Sequence, residues 1–116
     1  LHRSEGFGLT LAEAMLMGKP VIATGYSGNM DFTTSATALL VDYELVPVKL
    51  GDYPFSHGEM WAEPNVQQAS DYMQELVEDS TFAQSIAQKG EELIRTSFST
   101  TTMGDRYKKR LSSLLK

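Results

Sequence analysis

The stretch EGFGLTLAEAMLMGKPVIAT, residues 5–24, carries a glycine loop followed by two apolar segments. Its middle part, Leu9 to Met17, is apolar on nearly every side of a helix, which is typical of a helix buried between two layers. Gly18 and Pro20 predict the end of that helix, because glycine adopts the left-handed conformation and proline blocks continuation. Val21 to Thr24 has the continuous apolar pattern of a strand covered on both faces. This order of elements predicts an α/β fold.

The middle of the chain is expected to add one more strand and two loops. Gly25 to Asn29 is predicted to be a loop after the first strand. Ala38 to Val41 predicts a second buried strand, which Tyr43 to Val48 would extend. Residues 49–64 contain two glycines and two prolines, and this composition predicts irregular structure.

Three helices are predicted after residue 64 from apolar side chains at helical spacing. Asn65 is placed to cap the first helix, Ser80 to cap the second, and the last begins near Ser99. Gly90 is expected to weaken the second helix by about 1 kcal/mol relative to alanine. Together these elements predict a partial Rossmann-like α/β domain with a short parallel sheet and several helices.

The composition of the 116 residues is that of an ordinary globular protein, with 41% hydrophobic and 22% charged residues. Because the chain has no cysteine, disulfides, thiolate metal sites and cysteine nucleophiles are excluded. No apolar run approaches the roughly 20 residues that span a bilayer, and no secretory leader is recognisable. We therefore expect a cytoplasmic location, with a peripheral position at the inner face of the membrane as the alternative.

Charge is divided unevenly along the chain. Residues 1–94 carry four basic and fourteen acidic side chains, whereas residues 95–116 carry six basic and one acidic. The basic end can be a solvated helix face or a contact with a membrane or nucleic acid. Since the rest of the chain is acidic, no nucleic-acid partner is expected.

The glycine loop is the main candidate for chemistry. Gly6 and Gly8 allow a ligand to approach the backbone, and the helix that follows offers unpaired N–H groups to a phosphate. Glu13 lies about one turn inside this helix, and its carboxylate is expected to reach the same opening as that of Glu5. Carboxylates beside N–H donors suit a ligand that is both polyhydroxylated and phosphorylated.

A purely structural interpretation of the same residues stays open. The two glycines would then only shape a turn from strand to helix, and Thr10, Glu13 and Met17 would form the one solvated stripe of a buried helix. The spacing alone does not distinguish this interpretation from a ligand site.

Other known motifs fail at one or two of the positions that they require, and the P-loop also lacks its first glycine, where Glu13 stands. Leu11 stands where a dinucleotide-binding fingerprint needs glycine, and Pro20 stands where a P-loop needs a hydroxyl residue. Asn29 occupies the position of the last glycine of a nucleophile elbow. His2 and His57 each lack a second histidine at metal-binding spacing, so no metal site is predicted.

Residues 4–15, SEGFGLTLAEAM, with GKPVIA at residues 18–23, resemble the C-terminal domain of GT-B retaining glycosyltransferases of the group 1 type. Those enzymes carry two glutamates separated by seven residues, which Glu5 and Glu13 match here. Further along the chain, LVDY and WAEP, which start at positions 40 and 61, are similar to bacterial members linked to surface polysaccharides. The resemblance thus implies a role in polysaccharide or glycoconjugate synthesis.

The resemblance implies a nucleotide-sugar donor, such as a UDP- or GDP-sugar, bound between two Rossmann-like domains without a metal or other cofactor. Glu5 would be the catalytic residue at the donor sugar, contacting its hydroxyls or stabilising positive charge at the anomeric carbon. Glu13 would bind the ribose hydroxyls. The donor sugar and phosphate would be bound by backbone N–H groups, with a hydroxyl at the helix start, from Gly6, Phe7, Gly8, Leu9 and Thr10.

Two departures from the family pattern concern the phosphate side of the site. Many relatives carry a Gly-Gly pair and a glutamate after the first strand, whereas this chain has Ser27-Gly28-Asn29 and Asp31. No role is therefore assigned to this loop beyond a position near the carboxyl edge of the sheet, where open α/β sheets bind ligands. The basic residues that clasp the diphosphate lie upstream of the glutamate motif in the family, and Arg3 is not placed to be one of them.

Residues 1–116 are expected to be the C-terminal part of a nucleotide-sugar-binding domain, whose first strands and N-terminal acceptor domain belong to a longer parent chain. The parent would transfer sugar with retention, and this fragment alone would be inactive. The alternative is a non-catalytic GT-B-like scaffold or interaction module. The last helix is expected to fold its apolar stripe onto the core or to be covered by a second copy of the chain, and that stripe consists of Met103, Tyr107, Leu111, Leu114 and Leu115.

Overall fold

The computed structural model describes residues 1–115 and has the α/β architecture that the sequence predicts. Its elements in chain order are α1 (Leu9–Leu16), β1 (Ile22–Thr24), a 3₁₀ helix (Gly28–Asp31), β2 (Leu39–Val41), β3 (Tyr43–Pro47), β4 (Met60–Pro64), α2 (Val66–Glu78), α3 (Ser80–Ser97) and α4 (Thr100–Leu114). The predicted short parallel sheet and several helices are confirmed.

The parallel sheet consists of β1 and β2, with Ile22 opposite Leu39 and Thr24 opposite Val41. Both strands lie where their continuous apolar runs predict, because α2 packs against them and their side chains are largely buried. Among residues 1–115, β1 has a strand on one side only, so its other edge is unpaired. The sheet ends at Thr24, immediately before the loop that contacts the glycine motif.

The segment from Tyr43 onward differs from the prediction. It does not extend β2, and residues 60–64 are not irregular, because β3 and β4 form an antiparallel hairpin with Tyr43 opposite Pro64. The chain leaves the parallel sheet at Asp42, whose backbone N–H donates to Oε1 of Gln68 (2.6 Å) and whose carbonyl accepts from the N–H of Asn65 (2.8 Å). Most side chains of β3 are exposed, so the hairpin leaves little apolar alternation in the sequence.

Side-chain caps mark the start of the last three helices. Asn65 caps α2 as predicted, since its Oδ1 accepts from the N–H of Gln68 (3.0 Å), and Ser99 caps α4. The cap of α3 is Asp79 and not Ser80, because the Asp79 carboxylate accepts from the N–H of Phe82 (2.8 Å) and Ser80 is already helical. A carboxylate is favoured at this end by the helix dipole.

The core lies between α1, the parallel sheet and α3. Its buried apolar members are Ala12, Met15, Val21, Ala23, Phe32, Ala38 and Ile94. Gly18 follows α1 with a φ of +65°, which is the left-handed conformation predicted for the end of this helix. Gly90 lies where α3 approaches α1, and a Cβ there would be 3.0 Å from the carbonyl oxygen of Thr37 and 3.1 Å from Cε of Met15. The glycine therefore serves close packing.

Helix α4 projects away from this core. Within the described chain none of its residues is buried, and the apolar side chains of Tyr107, Leu111 and Leu114 are exposed by 70%, 58% and 62%. The stripe from Tyr107 onward therefore does not fold onto the core, whereas Met103 is half-buried and lines a groove with Ile94 and Phe98. Coverage of the exposed part by a second copy stays a prediction. Among residues 1–115, no helix has the length and apolar character needed to cross a membrane.

Candidate functional site

The glycine loop is attached to the segment that follows β1. The backbone N–H of Glu5 donates to Oγ of Ser27 (2.6 Å), and the Ser27 hydroxyl donates to the carbonyl of Glu5 (2.9 Å). The N–H of Gly28 donates to the same carbonyl (2.9 Å). Three hydrogen bonds across 22 residues or more thus fix the backbone of the first motif glutamate.

Gly28 allows the two segments to approach each other. A Cβ at this position would overlap the carbonyl oxygen of Gly6 and would lie 2.9 Å from the carbonyl oxygen of Glu5. Ser27 has a φ of +69°, a conformation that residues with a side chain rarely adopt. From the sequence, this loop was predicted only to lie near the carboxyl edge of the sheet, where open α/β sheets bind ligands, and its contact with Glu5 was not predicted.

Asn29 connects the same loop to the sheet. Its side chain is fully buried, and Nδ2 donates to the carbonyl of Thr24 (3.0 Å) and to Oγ1 of Thr33 (3.0 Å). Its Oδ1 is buried without a hydrogen-bond partner among the described residues. A Cβ on Gly8 would lie 3.4 Å from Cβ of Asn29, so the buried side chain of Asn29 packs directly against the glycine loop.

The N-terminus of α1 is left open by the loop. Gly8 is the N-cap residue with a φ of +95°, and no side chain caps the helix. The first helical hydrogen bond runs from the N–H of Ala12 to the carbonyl of Gly8 (3.0 Å), which leaves the preceding N–H groups to outside partners. Leu9 and Thr10 are exposed here. These donors and the positive end of the helix dipole form a site suited to an anion.

Phe7 anchors the loop without closing it. Its ring lies 4.9 Å from that of Phe32 and 6.0 Å from that of Phe98, measured between ring centroids. Phe32 is fully buried, so the loop is held by an aromatic contact with the core. The side chain of Phe7 therefore contributes to packing, with the exposed Gly6 before it and the buried Gly8 after it.

The two motif glutamates lie on different sides of this N-terminus. Glu5 is half-buried, accepts from the N–H of Gly6 (3.0 Å) through Oε1, and lines a cleft of about 600 Å³ facing the β3–β4 hairpin. Glu13 is exposed and lines a second groove, of about 390 Å³, together with Phe98 and Arg106. The structure therefore does not bring both carboxylates into one opening, because their positions on the loop and on α1 face different elements.

Metal-binding side chains are not clustered at this site. Over the described range 1–115, no three residues of the types His, Cys, Asp and Glu are arranged to hold a metal ion. Arg3 lies beside the glutamate motif but is engaged elsewhere, since its guanidinium forms an ion pair with Glu63 (2.7 Å).

The fold and the site define a class of protein. An α/β domain presents a fixed glycine loop and an open helix N-terminus at the carboxyl end of a parallel strand, where open α/β sheets bind their ligands. Comparison with protein-family models matches residues 1–93 to the family described as Glycosyl transferases group 1. Because this match covers most of the chain, the protein belongs to that family of glycosyltransferases. No match was found among curated proteins.

Proposed function

We propose that the chain is the C-terminal part of the donor-binding domain of a retaining, metal-independent glycosyltransferase. Membership of the group 1 family supports the transfer of a sugar. The observation that supports a nucleotide-sugar donor is the uncapped N-terminus of α1, which follows the glycine loop beside Glu5. Such an N-terminus suits the diphosphate of the donor. The acceptor would be a growing polysaccharide or glycoconjugate.

The glycine loop and the first turn of α1 would both bind the donor. The N–H groups of Phe7 to Leu9 and the hydroxyl of Thr10 would contact the donor phosphate and sugar, because no side chain of the described residues caps this helix end. The N–H of Gly6 donates to the Glu5 carboxylate (3.0 Å), and a donor oxygen would replace that contact. As the bond to the diphosphate breaks, these dipoles would stabilise the negative charge of the leaving group. Their fixed orientation supports this role, since the loop backbone is held by Ser27 and Gly28.

The two carboxylates would act at opposite ends of the donor. Glu5 lines the cleft beside the loop, and there its charge would contact the sugar hydroxyls and oppose the positive charge that develops at the anomeric carbon. Glu13 is exposed on the second turn of α1 and forms no ion pair within residues 1–115. Its carboxylate oxygens would therefore be able to accept hydrogen bonds from the ribose hydroxyls. Their placement in two openings, the cleft and the groove, suits a ligand that extends across the helix N-terminus.

A non-catalytic scaffold is the second candidate function. It is supported by α4, whose exposed apolar side chains lie beside the basic residues Arg106, Lys108, Lys109 and Arg110. The same helix supports a cytoplasmic location that includes the inner surface of the membrane, because an amphipathic basic helix is attracted to anionic lipid.

Titration of the parent protein with UDP and GDP distinguishes the two candidates. We expect saturable binding of at least one nucleotide by calorimetry, with affinity lost in the Gly28→Ala variant that displaces the loop. A protein that binds neither nucleotide at millimolar concentration would contradict the proposed enzyme and leave the scaffold.

A further inference from the structure

Ser27 has a backbone conformation that residues with a side chain rarely adopt. Its φ of +69° and ψ of −147° lie close to a region that is almost restricted to glycine, so a side chain here is held under strain. Among the non-glycine residues of the described chain, only Ser27 and Phe55 have a positive φ. Glycine would take the same conformation without strain. The side chain of Ser27 is therefore expected to supply a contact that glycine would lack.

Both hydrogen bonds of the Ser27 hydroxyl are made to one residue. The hydroxyl oxygen accepts from the N–H of Glu5 (2.6 Å), and the hydroxyl donates to the carbonyl of Glu5 (2.9 Å). These two groups belong to the peptide planes on either side of the Glu5 Cα atom, so one hydroxyl restrains both planes. The N–H of Gly28 donates to the same carbonyl (2.9 Å), and this third bond does not need a side chain at position 27.

Restraint of both peptide planes fixes the direction in which the Glu5 side chain leaves the backbone. The side chain lines the cleft, and its Oε1 accepts from the N–H of Gly6 (3.0 Å). A rotation about the backbone bonds of Glu5 would break at least one hydrogen bond to Ser27 and would move the carboxylate. Misplacement of a reacting group by about 1 Å can lower a rate about a hundredfold.

We propose that Ser27 is a positioning residue for Glu5, and that the strain at Ser27 persists because its hydroxyl holds this carboxylate in the cleft. The inference rests on the proposed function, in which Glu5 acts at the anomeric carbon of the donor. The hydroxyl then affects the rate of transfer much more than the binding of the nucleotide. Nucleotide binding is retained without it, because Gly28 still holds the loop and the start of α1 stays uncapped.

The test is Ser27→Gly in the parent enzyme, because this substitution removes the hydroxyl and the strain together. The lost hydrogen bonds and the relieved strain have opposite effects on stability, so the Tm should stay within about 3 °C of the wild type. For release of UDP or GDP from the nucleotide sugar, kcat should fall about tenfold or more, while the Kd of the free nucleotide changes less than about twofold. Wild-type kcat overturns the proposal, and so does a fall in kcat together with a lower Tm and weaker nucleotide binding.

Two further variants separate the hydroxyl from other effects of the substitution. Ser27→Thr keeps the hydroxyl, but its branched side chain tolerates a positive φ poorly, so the Tm should fall while kcat stays within about threefold of the wild type. A folded Ser27→Thr variant that is as slow as Ser27→Gly would contradict the inference. Ser35 is exposed in the turn before β2 and has no positive φ, so Ser35→Gly should leave kcat and the Kd unchanged.

Action through Glu5 is tested by combining substitutions. In a Glu5→Gln background the carboxylate that Ser27 positions is already absent, so adding Ser27→Gly should lower kcat by less than about twofold. A further tenfold loss in the double variant would show that Ser27 acts independently of Glu5, and the proposal would then be wrong.

Hydrogen exchange provides a readout that does not depend on transfer. The acceptor of the Glu5 N–H is Oγ of Ser27, so this amide should exchange about tenfold faster in Ser27→Gly and near the wild-type rate in Ser27→Thr. Unchanged exchange in Ser27→Gly overturns the positioning role. Failure of the proposed function has a different signature, which is a wild type that binds neither UDP nor GDP or a Glu5→Gln variant with wild-type kcat.

Discussion

At the scale of single residues, the site depends on the contact between the Glu5 backbone and the loop after β1. Ser27 accepts and donates a hydrogen bond there in a positive-φ conformation that costs on the order of 1–3 kcal/mol. Gly28 lies against the carbonyl groups of Glu5 and Gly6. Ser27 and Gly28, which are not proposed to contact the ligand, therefore determine the orientation of the N–H donors in the glycine loop.

Replacing Gly28 by alanine should displace the loop. The added methyl group meets backbone carbonyls, which cannot rotate away as a side chain can, so we expect a loss of about 1–3 kcal/mol in the free energy of unfolding. Nucleotide affinity should fall more than about tenfold, since the loop donors move. Thermal unfolding and calorimetry measure the two effects.

Gly25→Ala is the matched control for Gly28→Ala. A Cβ at Gly25 would make only ordinary contacts, 3.5 Å from the carbonyl oxygen of Val41 and 3.7 Å from Cβ of Leu40. We expect nearly wild-type stability and binding in this variant. Equal effects of the two substitutions would mean that the close approach at Gly28 is unimportant.

The two motif glutamates should differ in the kinetic constant that they affect. Under the proposed function Glu5 opposes positive charge at the anomeric carbon, so Glu5→Gln should lower kcat by about 10²–10³ with little change in nucleotide affinity. Glu13→Gln weakens acceptance from the ribose hydroxyls, and nucleotide affinity should fall about tenfold. Steady-state kinetics and calorimetry on the parent enzyme separate these effects.

Glu92→Gln provides the control for both carboxylate variants, because Glu92 is exposed on α3 and lines neither the cleft nor the groove. We expect wild-type kcat and nucleotide affinity in this variant. Activity retained after both Glu5→Ala and Glu13→Ala would disprove the catalytic assignment.

At the scale of elements, predictability followed the burial of each segment. The strands at Val21 and Ala38 and helices α2 and α3 were predicted because at least one face of each is packed and the apolar pattern records this. Helix α4 was predicted from the same kind of apolar stripe, although most of that stripe is exposed. The hairpin was missed because its side chains are mostly exposed and its pairing joins residues far apart in sequence. The cap of α3 was misplaced by one residue because Asp79 and Ser80 are both good capping residues.

Of the candidate site, the sequence predicted the glycine loop and the open start of α1, but not the residues that support them. The motif around Glu5 indicated an open helix N-terminus, and the structure has one. The support from Ser27 and Asn29 depends on tertiary contacts, and neither residue type specifies such a contact by itself. The same limit applies to Phe55, which lines the same cleft as Glu5 and lies in the loop between β3 and β4.

Two helix glycines should respond to alanine in opposite directions. At Gly90 the helix-propensity gain of about 1 kcal/mol is outweighed by contacts with Thr37 and the fully buried Met15, so we expect net destabilisation of about 1 kcal/mol. At Gly104 on α4 nothing lies within 4 Å of the added Cβ, so alanine should stabilise by about 0.5–1 kcal/mol. Chemical denaturation measures both, and a stabilising Gly90→Ala would refute the close packing of α1 and α3.

At the scale of the whole molecule, the described chain is less compact than a typical domain of its length. Its radius of gyration is 16.9 Å, whereas a compact domain of this length is expected near about 13 Å. The molecule extends over 50 × 45 × 17 Å, so it is a flat layer with the site at one side. This shape supports the proposal that further structure packs against it in the parent protein.

The exposed stripe of α4 should promote association between copies of the chain. Leu111 and Leu114 are more than half exposed on one helix, and apolar surface of this kind is unfavourable in water. We expect light scattering to show concentration-dependent dimers that Leu111→Lys combined with Leu114→Lys abolishes. Ser112→Lys, a new positive charge at an exposed polar position of α4, should leave them intact. A monomeric wild type at high concentration would contradict the prediction.

The hydrogen bonds from Ser27 and Gly28 to Glu5 also couple occupancy of the site to the folding equilibrium. The glycine loop has this shape only when residues near both ends of the α1–β1 segment are in place, so under the proposed function a nucleotide would bind the native chain and not the unfolded one. By mass action, a ligand at a hundred times its Kd would then add about 2.7 kcal/mol to the free energy of unfolding. Under the same proposal, the substrate concentration in the cell would help to determine how long the folded protein persists.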